Sequence, residues 1–174
     1  MATLRRGHCC TTIKRAYTRK SKYRRKNYIR AVPTNKVIRY DMGEKTKQFS
    51  YKVELQVKNA IQIRHNALES CRQIINRNLI RHIGQDYYLK LNVYPHQIIR
   101  ENKMLTGAGA DRMQTGMQRA FGSPTGVAAR LKRRQTVFSV KVEKDNIDQA
   151  KAALKKATPR LPGTFSINIV EIKK

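Results

Sequence analysis

The sequence predicts an α+β domain behind a basic N-terminal arm. Residues 49–57 alternate apolar and polar side chains, which is the period of a strand with one buried face. Two amphipathic segments, 60–84 and 145–159, lie far apart in the chain and have helical spacing. Strands mixed with two such helices favour a single domain, in which both helices pack on one face of a mixed sheet. We place this domain at residues 32–174 and the arm at residues 1–31.

The remaining elements follow from local composition. The first helix carries Cys71 and Ile75 on its apolar stripe and is expected to end near Gly84. The second is expected to be capped by Asp145 and stopped by Pro159. Short runs rich in β-branched and aromatic residues predict further strands at 37–41, 87–94, 96–100, 135–142 and 165–172.

The net charge of the chain is far from zero. Its 174 residues contain 38 Lys plus Arg against 11 Asp plus Glu, which gives a formal net charge of +27. Such an excess repels itself in a compact fold, so we expect a bound polyanion: nucleic acid, an anionic membrane surface or an acidic protein. The hydrophobic content of 40% is enough for a core, so the chain is more than a disordered basic tail.

The sequence carries no recognisable signal for export or membrane insertion. No apolar run is long enough for a signal-peptide core or a membrane span. The three cysteines include the adjacent pair Cys9 and Cys10, which is a poor disulfide framework and suits a reducing compartment. We therefore expect a cytoplasmic protein with no membrane partner.

The arm contains no acidic residue, since the first carboxylate of the chain is Asp41. Tyrosines interleave with its cations, so rings can stack on bases while Lys and Arg meet phosphates. The alternative is a solvated charged terminus, but the tyrosines and the absence of acids favour RNA binding. A segment so poor in aliphatic residues is expected to be ordered only against a partner. The candidate RNA-binding residues are Lys14, Arg15, Arg19, Lys20, Lys22, Arg24, Arg25, Lys26 and Arg30, with Arg64, Arg72, Arg77 and Arg81 on the polar face of the first helix.

A stretch rich in glycine and methionine, residues 102–126, has no alternation long enough for a strand. Long irregular segments in compact domains are usually either mobile or functional. Gly107, Gly109 and Gly116 would permit close approach to the backbone of a ligand. The alternative is a loop with a short helical turn at 113–121, whose methionines fill the core. The residues alone favour neither interpretation.

The sequence predicts no catalytic, metal or cofactor site. Gly107-Ala-Gly109 lacks the third glycine of a dinucleotide fingerprint, and no Gly-Lys-Ser/Thr ending marks a phosphate-binding loop. Histidines and cysteines are not spaced as ligand pairs. Cys71 falls on an apolar helix stripe, where a buried inert thiol is expected, and the few carboxylates form no pair suited to acid-base work.

The stretch at residues 100–117 carries a specific resemblance. It reads Arg-Glu-Asn-Lys-Met-Leu-Thr-Gly-Ala-Gly-Ala-Asp-Arg-Met-Gln-Thr-Gly-Met and resembles the archaeal and eukaryotic ten-e family of large-subunit ribosomal proteins, called sixteen in the universal scheme. Blocks at 28–33, 62–69, 94–97 and 120–124 resemble that family in the same order, and the block at 62–69 is similar to its archaeal branch. The resemblance covers nearly the whole chain.

This resemblance implies an α/β-hammerhead-type domain and a role without catalysis. The domain would sit on large-subunit ribosomal RNA between the peptidyl-transferase region and the site of the transfer RNA elbow, beside neighbouring ribosomal proteins. It would support translation and subunit assembly. The loop would reach toward transfer RNA in the active centre through Asn102, Lys103, Met104, Gly107, Gly109, Asp111, Arg112, Gln114, Thr115, Gly116 and Met117.

Two other classes of protein remain as alternatives to this interpretation. A free-standing enzyme acting on nucleic acid would use the loop as a lid over an active site. A DNA-compacting protein would need the same excess of positive charge, because charge alone does not distinguish DNA from RNA.

Overall fold

The structure, a computed structural model, describes residues 21–101 and 122–172. These residues form an α+β fold, which confirms the predicted fold class. The strands are β1 Asp41–Gly43, β2 Tyr51–Val57, β3 Ile61–Arg64, β4 Tyr88–Leu91, β5 Gln97–Glu101, β6 Ser123–Leu131, β7 Thr136–Val142 and β8 Phe165–Glu171. The α-helices are α1 His65–Ile83 and α2 Ile147–Ala157, and 3-10 turns cover Arg24–Lys26, Lys144–Asn146 and Thr158–Arg160.

Five strands form the larger sheet, in the order β1-β4-β7-β2-β8. Leu55 of β2 lies opposite Phe138 of β7 on one side and Ile167 of β8 on the other. Val53, Leu55 and Phe138 are fully buried. The alternation in β2 therefore produces one apolar face, as the sequence predicts.

The other face of this sheet is polar and internally hydrogen-bonded. The Glu54 carboxylate accepts hydrogen bonds from Gln56 Nε2 at 2.9 Å and Thr136 Oγ1 at 3.1 Å, and pairs with Lys52 Nζ at 2.5 Å. Burial acts to raise the pKa of Glu54, but the hydrogen bonds from Lys52, Gln56 and Thr136 lower it overall. Glu54 is thus held ionised by its neighbours on this face.

The end of β1 requires a glycine. Gly43 has φ +85°, and a Cβ at this position would lie 2.1 Å from the carbonyl oxygen of Tyr87. That carbonyl also accepts a hydrogen bond from the backbone N–H of Glu44 at 2.8 Å. The close approach fastens β1 to the chain as it enters β4.

Three strands form the smaller sheet, in the order β3-β6-β5. Ile63 of β3 lies opposite Ala129 of β6, and Ile98 of β5 lies opposite Val127. At the far end of the β5–β6 pair, Glu101 lies opposite Ser123. The chain therefore leaves and re-enters this sheet at directly paired positions.

The two helices cover a shared core between the sheets. α2 packs on β2 and β7, whereas α1 packs on α2, β3 and β6. The apolar stripe of α1 buries Leu68, Cys71, Ile75 and Leu79, and α2 buries Ala150, Ala153, Leu154 and Ala157. These side chains belong to one cluster with the apolar faces of both sheets. This cluster is the main core of the described residues.

The expectation of a single mixed sheet is wrong. The described strands form two sheets, and all pairings among them are antiparallel. The larger sheet carries α2, while α1 lies over the smaller sheet and against α2. A second sheet was not predicted because two of its three strands carry no clear alternation.

Several boundaries also differ from those predicted. The predicted helix at 60–84 begins as strand β3, and the helix itself starts only at His65. Of the predicted strand at 37–41, only Asp41 lies in a strand, and residues 37–40 have no regular secondary structure. The Asn35 side chain accepts from the N–H of Val37 at 3.0 Å at the start of this segment. Asp145 lies in the 3-10 turn before α2, and its side chain makes no cap hydrogen bond.

Candidate nucleic-acid interface

The described end of the arm presents cations on a fixed turn. Lys22, Arg24, Arg25, Lys26 and Arg30 are all exposed. The 3-10 turn is closed by backbone bonds from Lys26 N–H to the Tyr23 carbonyl at 2.9 Å, and from Asn27 N–H to the Arg24 carbonyl at 3.3 Å. The Lys26 ammonium lies 5.0 Å from the centre of the Tyr23 ring, a cation–π contact.

This turn is attached to the smaller sheet by one apolar side chain. Ile29 is only 5% exposed and packs with Ile98 of β5 and Val127 of β6. The arm was expected to be ordered only against a partner, and for Ile29 that expectation is wrong, because Ile29 is buried against Ile98 and Val127 of the domain itself. The cations on either side of Ile29 are thereby held at this sheet.

The four arginines predicted on the first helix differ in their surroundings. Arg64 is the residue before α1 and is half-buried, whereas Arg77 and Arg81 are exposed one turn apart. Arg72 is largely buried and binds Glu69 through two contacts, Nη2–Oε1 at 2.5 Å and Nε–Oε2 at 2.9 Å. Arg72 Nη1 also lies 3.0 Å from the Met42 sulfur. The structure thus uses Arg72 to join α1 to β1.

Arg72 and Glu69 stabilise each other in their charged forms. The hydrogen bond from Arg72 lowers the pKa of Glu69, and the reciprocal bond raises the pKa of the Arg72 guanidinium. Both groups remain charged and satisfied by each other at ordinary pH. Arg77 and Arg81 are therefore better placed than Arg72 to meet a phosphate.

Helix α2 adds cations that sequence reasoning missed. Lys155, Lys156 and Arg160 are exposed near its C-terminal end. Lys156 Nζ donates to Asn78 Oδ1 at 2.9 Å, and Arg160 Nη1 donates to Ser70 Oγ at 2.5 Å. These bonds attach Lys156 and Arg160 to α1. Their signal in the sequence was a basic last turn, which also fits the helix dipole alone.

An exposed aromatic pair stands near β5. The rings of Tyr40 and Tyr94 are stacked with centroids 5.9 Å apart and planes 26° apart, and Tyr94 is 61% exposed. Asn35 Nδ2 donates to the Tyr40 hydroxyl at 3.2 Å and to the Val37 carbonyl at 3.1 Å. Tyr40, held by Asn35, therefore supports the Tyr94 ring from one side. An exposed ring supported in this way suits stacking of an unpaired base.

The other predicted site residues lie outside the described part of the chain. These are Lys14, Arg15, Arg19 and Lys20 of the arm and the whole loop set from Asn102 to Met117. The structure does describe the residues that flank the loop. Because Glu101 and Ser123 are paired, both ends of the loop meet at one end of the smaller sheet.

The buried cysteine and histidine of the described residues have the surroundings of structural groups. Within 21–101 and 122–172, no group of three His, Cys, Asp or Glu could hold a metal ion. Burial raises the pKa of the Cys71 thiol to about 12, and its Sγ lies 3.5 Å from the Ala157 carbonyl oxygen. His65 Nδ1 accepts from the Lys36 N–H at 3.2 Å, and burial together with Lys36 and Arg64 lowers the pKa of His65. Both side chains act as structural groups.

No helix in the described ranges is long and apolar enough to cross a membrane.

Known proteins resemble this chain over most of its length. The sequence profile described as ribosomal protein L16p/L10e matches residues 17–168. The large ribosomal subunit protein uL16 of Staphylothermus marinus is 46% identical over 141 residues, covering 80% of this chain and 81% of the relative. That of Hyperthermus butylicus is 44% identical over 153 residues, covering 87% and 85% of the two chains. The uL16 of Methanococcus maripaludis strain S2 is 41% identical over 172 residues, covering 98% and 96%.

The matched region includes the described arm turn, both sheets and both helices up to β8, and the predicted resemblance, including its archaeal character, is confirmed by these relatives. Because the sequence agrees with these relatives over nearly the whole domain, the chain belongs to the ribosomal protein L16p/L10e family.

Proposed function

We propose that the chain is a structural component of the large ribosomal subunit and that it binds the large-subunit ribosomal RNA through exposed cations. One observation carries this proposal: the smaller sheet holds both the arm turn at Arg24–Lys26 and the residues that flank the loop. Ile29 fixes the turn on β5 and β6, and the same two strands end at Glu101 and Ser123, where the loop begins and ends. Segments with separate positions in the sequence thus share one support.

The contacts that would hold the RNA are mainly electrostatic. Arg24, Arg25 and Lys26 project from the turn, and Arg77 and Arg81 project from α1. Arginine forks and lysine ammonium groups neutralise phosphates with release of counterions, which accounts for a strong dependence of affinity on salt. The stacked Tyr94 ring offers a contact that salt weakens less, because stacking on a base does not depend on charge.

The position on the ribosome belongs to the same proposal. The resemblance of residues 100–117 supports a seat between the peptidyl-transferase region and the elbow of the incoming transfer RNA. The loop from Asn102 to Met117 would then approach that transfer RNA, and neighbouring ribosomal proteins would complete the surroundings. A cytoplasmic location follows from assembly into ribosomes.

The role is not enzymatic. Members of the ribosomal protein L16p/L10e family are structural constituents of the ribosome, as the sequence predicts for this chain. Peptide transfer is then carried out by the RNA, and the protein contributes positioning.

RNA binding can be tested with charge-matched variants. Arg24, Arg25 and Lys26 are changed together to glutamine. The slope of log affinity against log salt concentration should then become smaller in magnitude by up to roughly 3, because each lost phosphate contact removes about 0.9. The control changes Lys45, Lys90 and Lys144 to glutamine, which are exposed lysines outside the turn. The probe is a transcript of the large-subunit ribosomal RNA of Methanococcus maripaludis. Equal slopes for both variants would contradict a specific role of the turn.

Two further measurements separate the alternatives. A DNA-compacting protein would bind duplex DNA as tightly as the ribosomal transcript at matched salt. A ribosomal component should co-sediment with large subunits, whereas a DNA-compacting protein should not.

The transfer RNA contact needs its own test. Ribosomes assembled with residues 105–117 replaced by a glycine-serine linker should retain the protein but bind A-site transfer RNA more weakly. Unchanged transfer RNA binding in such ribosomes would remove the loop from the proposal and leave the RNA-binding role intact.

A further inference from the structure

A basic turn joins β6 to β7, and no function described above uses it. Lys132, Arg133 and Arg134 are consecutive and exposed. Lys58 is exposed directly after β2. Two backbone bonds hold these segments side by side, from Arg134 N–H to the Val57 carbonyl at 2.8 Å and from Val57 N–H to the Gln135 carbonyl at 3.1 Å. Four cations therefore meet at one corner of the larger sheet.

The turn has a fixed conformation. Its backbone closes through Gln135 N–H to the Lys132 carbonyl at 3.2 Å, and the Gln135 side chain accepts from Lys132 N–H at 2.9 Å. Arg134 has φ +63° and is, among the described residues, the one non-glycine residue with positive φ. Side chains other than glycine and asparagine are disfavoured in this left-handed region. An arginine here is a costly choice for the fold alone.

The charges of this corner are not balanced within the described structure. Across residues 21–101 and 122–172, Lys58, Lys132, Arg133 and Arg134 take part in no salt bridge. Four like charges at one corner repel each other, and Arg134 also strains the backbone. Neither feature stabilises the domain, which points to a ligand that supplies negative charge.

We propose that Lys58, Lys132, Arg133 and Arg134 form a second RNA contact, a basic corner that binds backbone phosphates independently of base sequence. The proposal rests on the RNA-binding function above and adds a site distinct from the arm and the loop. The proposed partner is RNA rather than an acidic protein. The arm turn and the exposed arginines of α1 are already proposed to bind RNA phosphates, and a further exposed cluster of cations on the same domain suits the same partner. Guanidinium groups at adjacent positions on a rigid turn can bridge successive phosphates.

The position of Arg134 allows a test that does not damage the fold. Arg134→Gly removes one cation and places the residue type best suited to φ +63° at that site. Its melting temperature should be equal to or higher than that of the unchanged protein. With the Methanococcus maripaludis large-subunit transcript, its salt slope should fall by about 0.9, and adding Lys132→Gln and Arg133→Gln should lower the slope by roughly 2–3 in total.

Lys45→Gln is the matched control, since Lys45 is an exposed cation before the opposite end of β2. The proposal predicts a smaller change for Lys45→Gln than for Arg134→Gly. An unchanged slope for the triple variant, or an equal change for the control, would overturn the basic corner. Such a result would leave the proposed function standing if the unchanged protein still binds the transcript with a steep salt dependence. Loss of that steep dependence in the unchanged protein would instead overturn RNA binding as a whole.

Discussion

The two sheets divide the work of the domain. The larger sheet is closed by α2 on its apolar face and satisfies its polar face internally, as around Glu54. The smaller sheet holds the arm turn through Ile29 and both ends of the loop through Glu101 and Ser123. The arm turn and the loop, for which we propose RNA contacts, both depend on the smaller sheet, whereas the larger sheet contributes fully buried side chains such as Leu55 and Phe138 and carries the basic corner at one end.

The largest expected effect lies in the larger sheet. Phe138→Ala removes a fully buried ring from the core and should lower the free energy of unfolding by about 3–5 kcal/mol. Urea denaturation followed by circular dichroism measures this change. The folded fraction should bind RNA with the original affinity, and Lys90→Ala on an exposed position of β4 should be nearly neutral. Weakened RNA binding by folded Phe138→Ala protein would break the division between the sheets.

A smaller effect is expected at the arm anchor. Ile29→Ala removes the contact with Ile98 and Val127 and should lower the free energy of unfolding by about 2–3 kcal/mol. RNA affinity should fall as well, because the cations beside Ile29 lose their fixed position. Thermal melts and RNA titrations give both quantities. Val32→Ala, at a 54% exposed position, is the control and should change neither.

The arginines of α1 sharpen the comparison within one helix. Arg72→Ala should lower the free energy of unfolding by about 1–2 kcal/mol, because it leaves the Glu69 carboxylate half-buried without its partner. Arg77→Ala should leave stability unchanged within about 0.5 kcal/mol and should instead lower the salt slope of RNA binding. Denaturant titration and RNA binding on the same two variants decide the matter. The reverse pattern would contradict the assigned roles.

The smallest expected effect concerns pH. Because burial raises the pKa of Cys71 from its usual 9.0 to about 12, its thiol ionises more easily in the unfolded chain than in the folded one. The stability that the neutral thiol supplies is complete below pH 9 and is lost as pH rises from there toward pH 12. Between pH 8 and pH 10, the protein should lose about 1 kcal/mol more than a Cys71→Ala variant does. Parallel losses in both proteins would show that Cys71 is not buried as described.

Sequence reasoning predicted the elements with strong periodicity. The alternation of β2 and the apolar stripe with Cys71 and Ile75 identified a strand and a helix that the structure contains, and Gly84 ends that helix with φ +76°. These signals are local, because the periodicity of an element that is buried on one side is written in its own residues.

The smaller sheet was missed for identifiable reasons. β3 runs into α1 without an intervening turn, so Ile61 and Ile63 looked like the start of the helical stripe. β6 contains Gly126, Ala128 and Ala129, all buried, and therefore shows no alternation of apolar and polar residues. A strand buried on both faces and made of small residues resembles a loop in sequence.

The candidate site shows the same limit. The distribution of charge in the sequence selected the arm cations and Arg77 as candidate RNA-binding residues. It did not predict that Arg72 would contact Glu69 and Met42. The Glu69 pair is visible as a spacing of three residues, whereas the Met42 contact depends on tertiary structure. The turn at Lys132–Arg134 is visible in the sequence as a run of three cations. Only the structure shows that Arg134 adopts a positive φ there.

The place of β8 in the larger sheet has a consequence for how the protein is made. β2 pairs along its whole length with β8, with Tyr51 opposite Glu171 near the end of the chain. This edge of the sheet cannot form until residues up to Glu171 have been synthesised, and pairings between such distant segments form slowly. During that interval the chain would expose both an unpaired strand edge and its full positive charge.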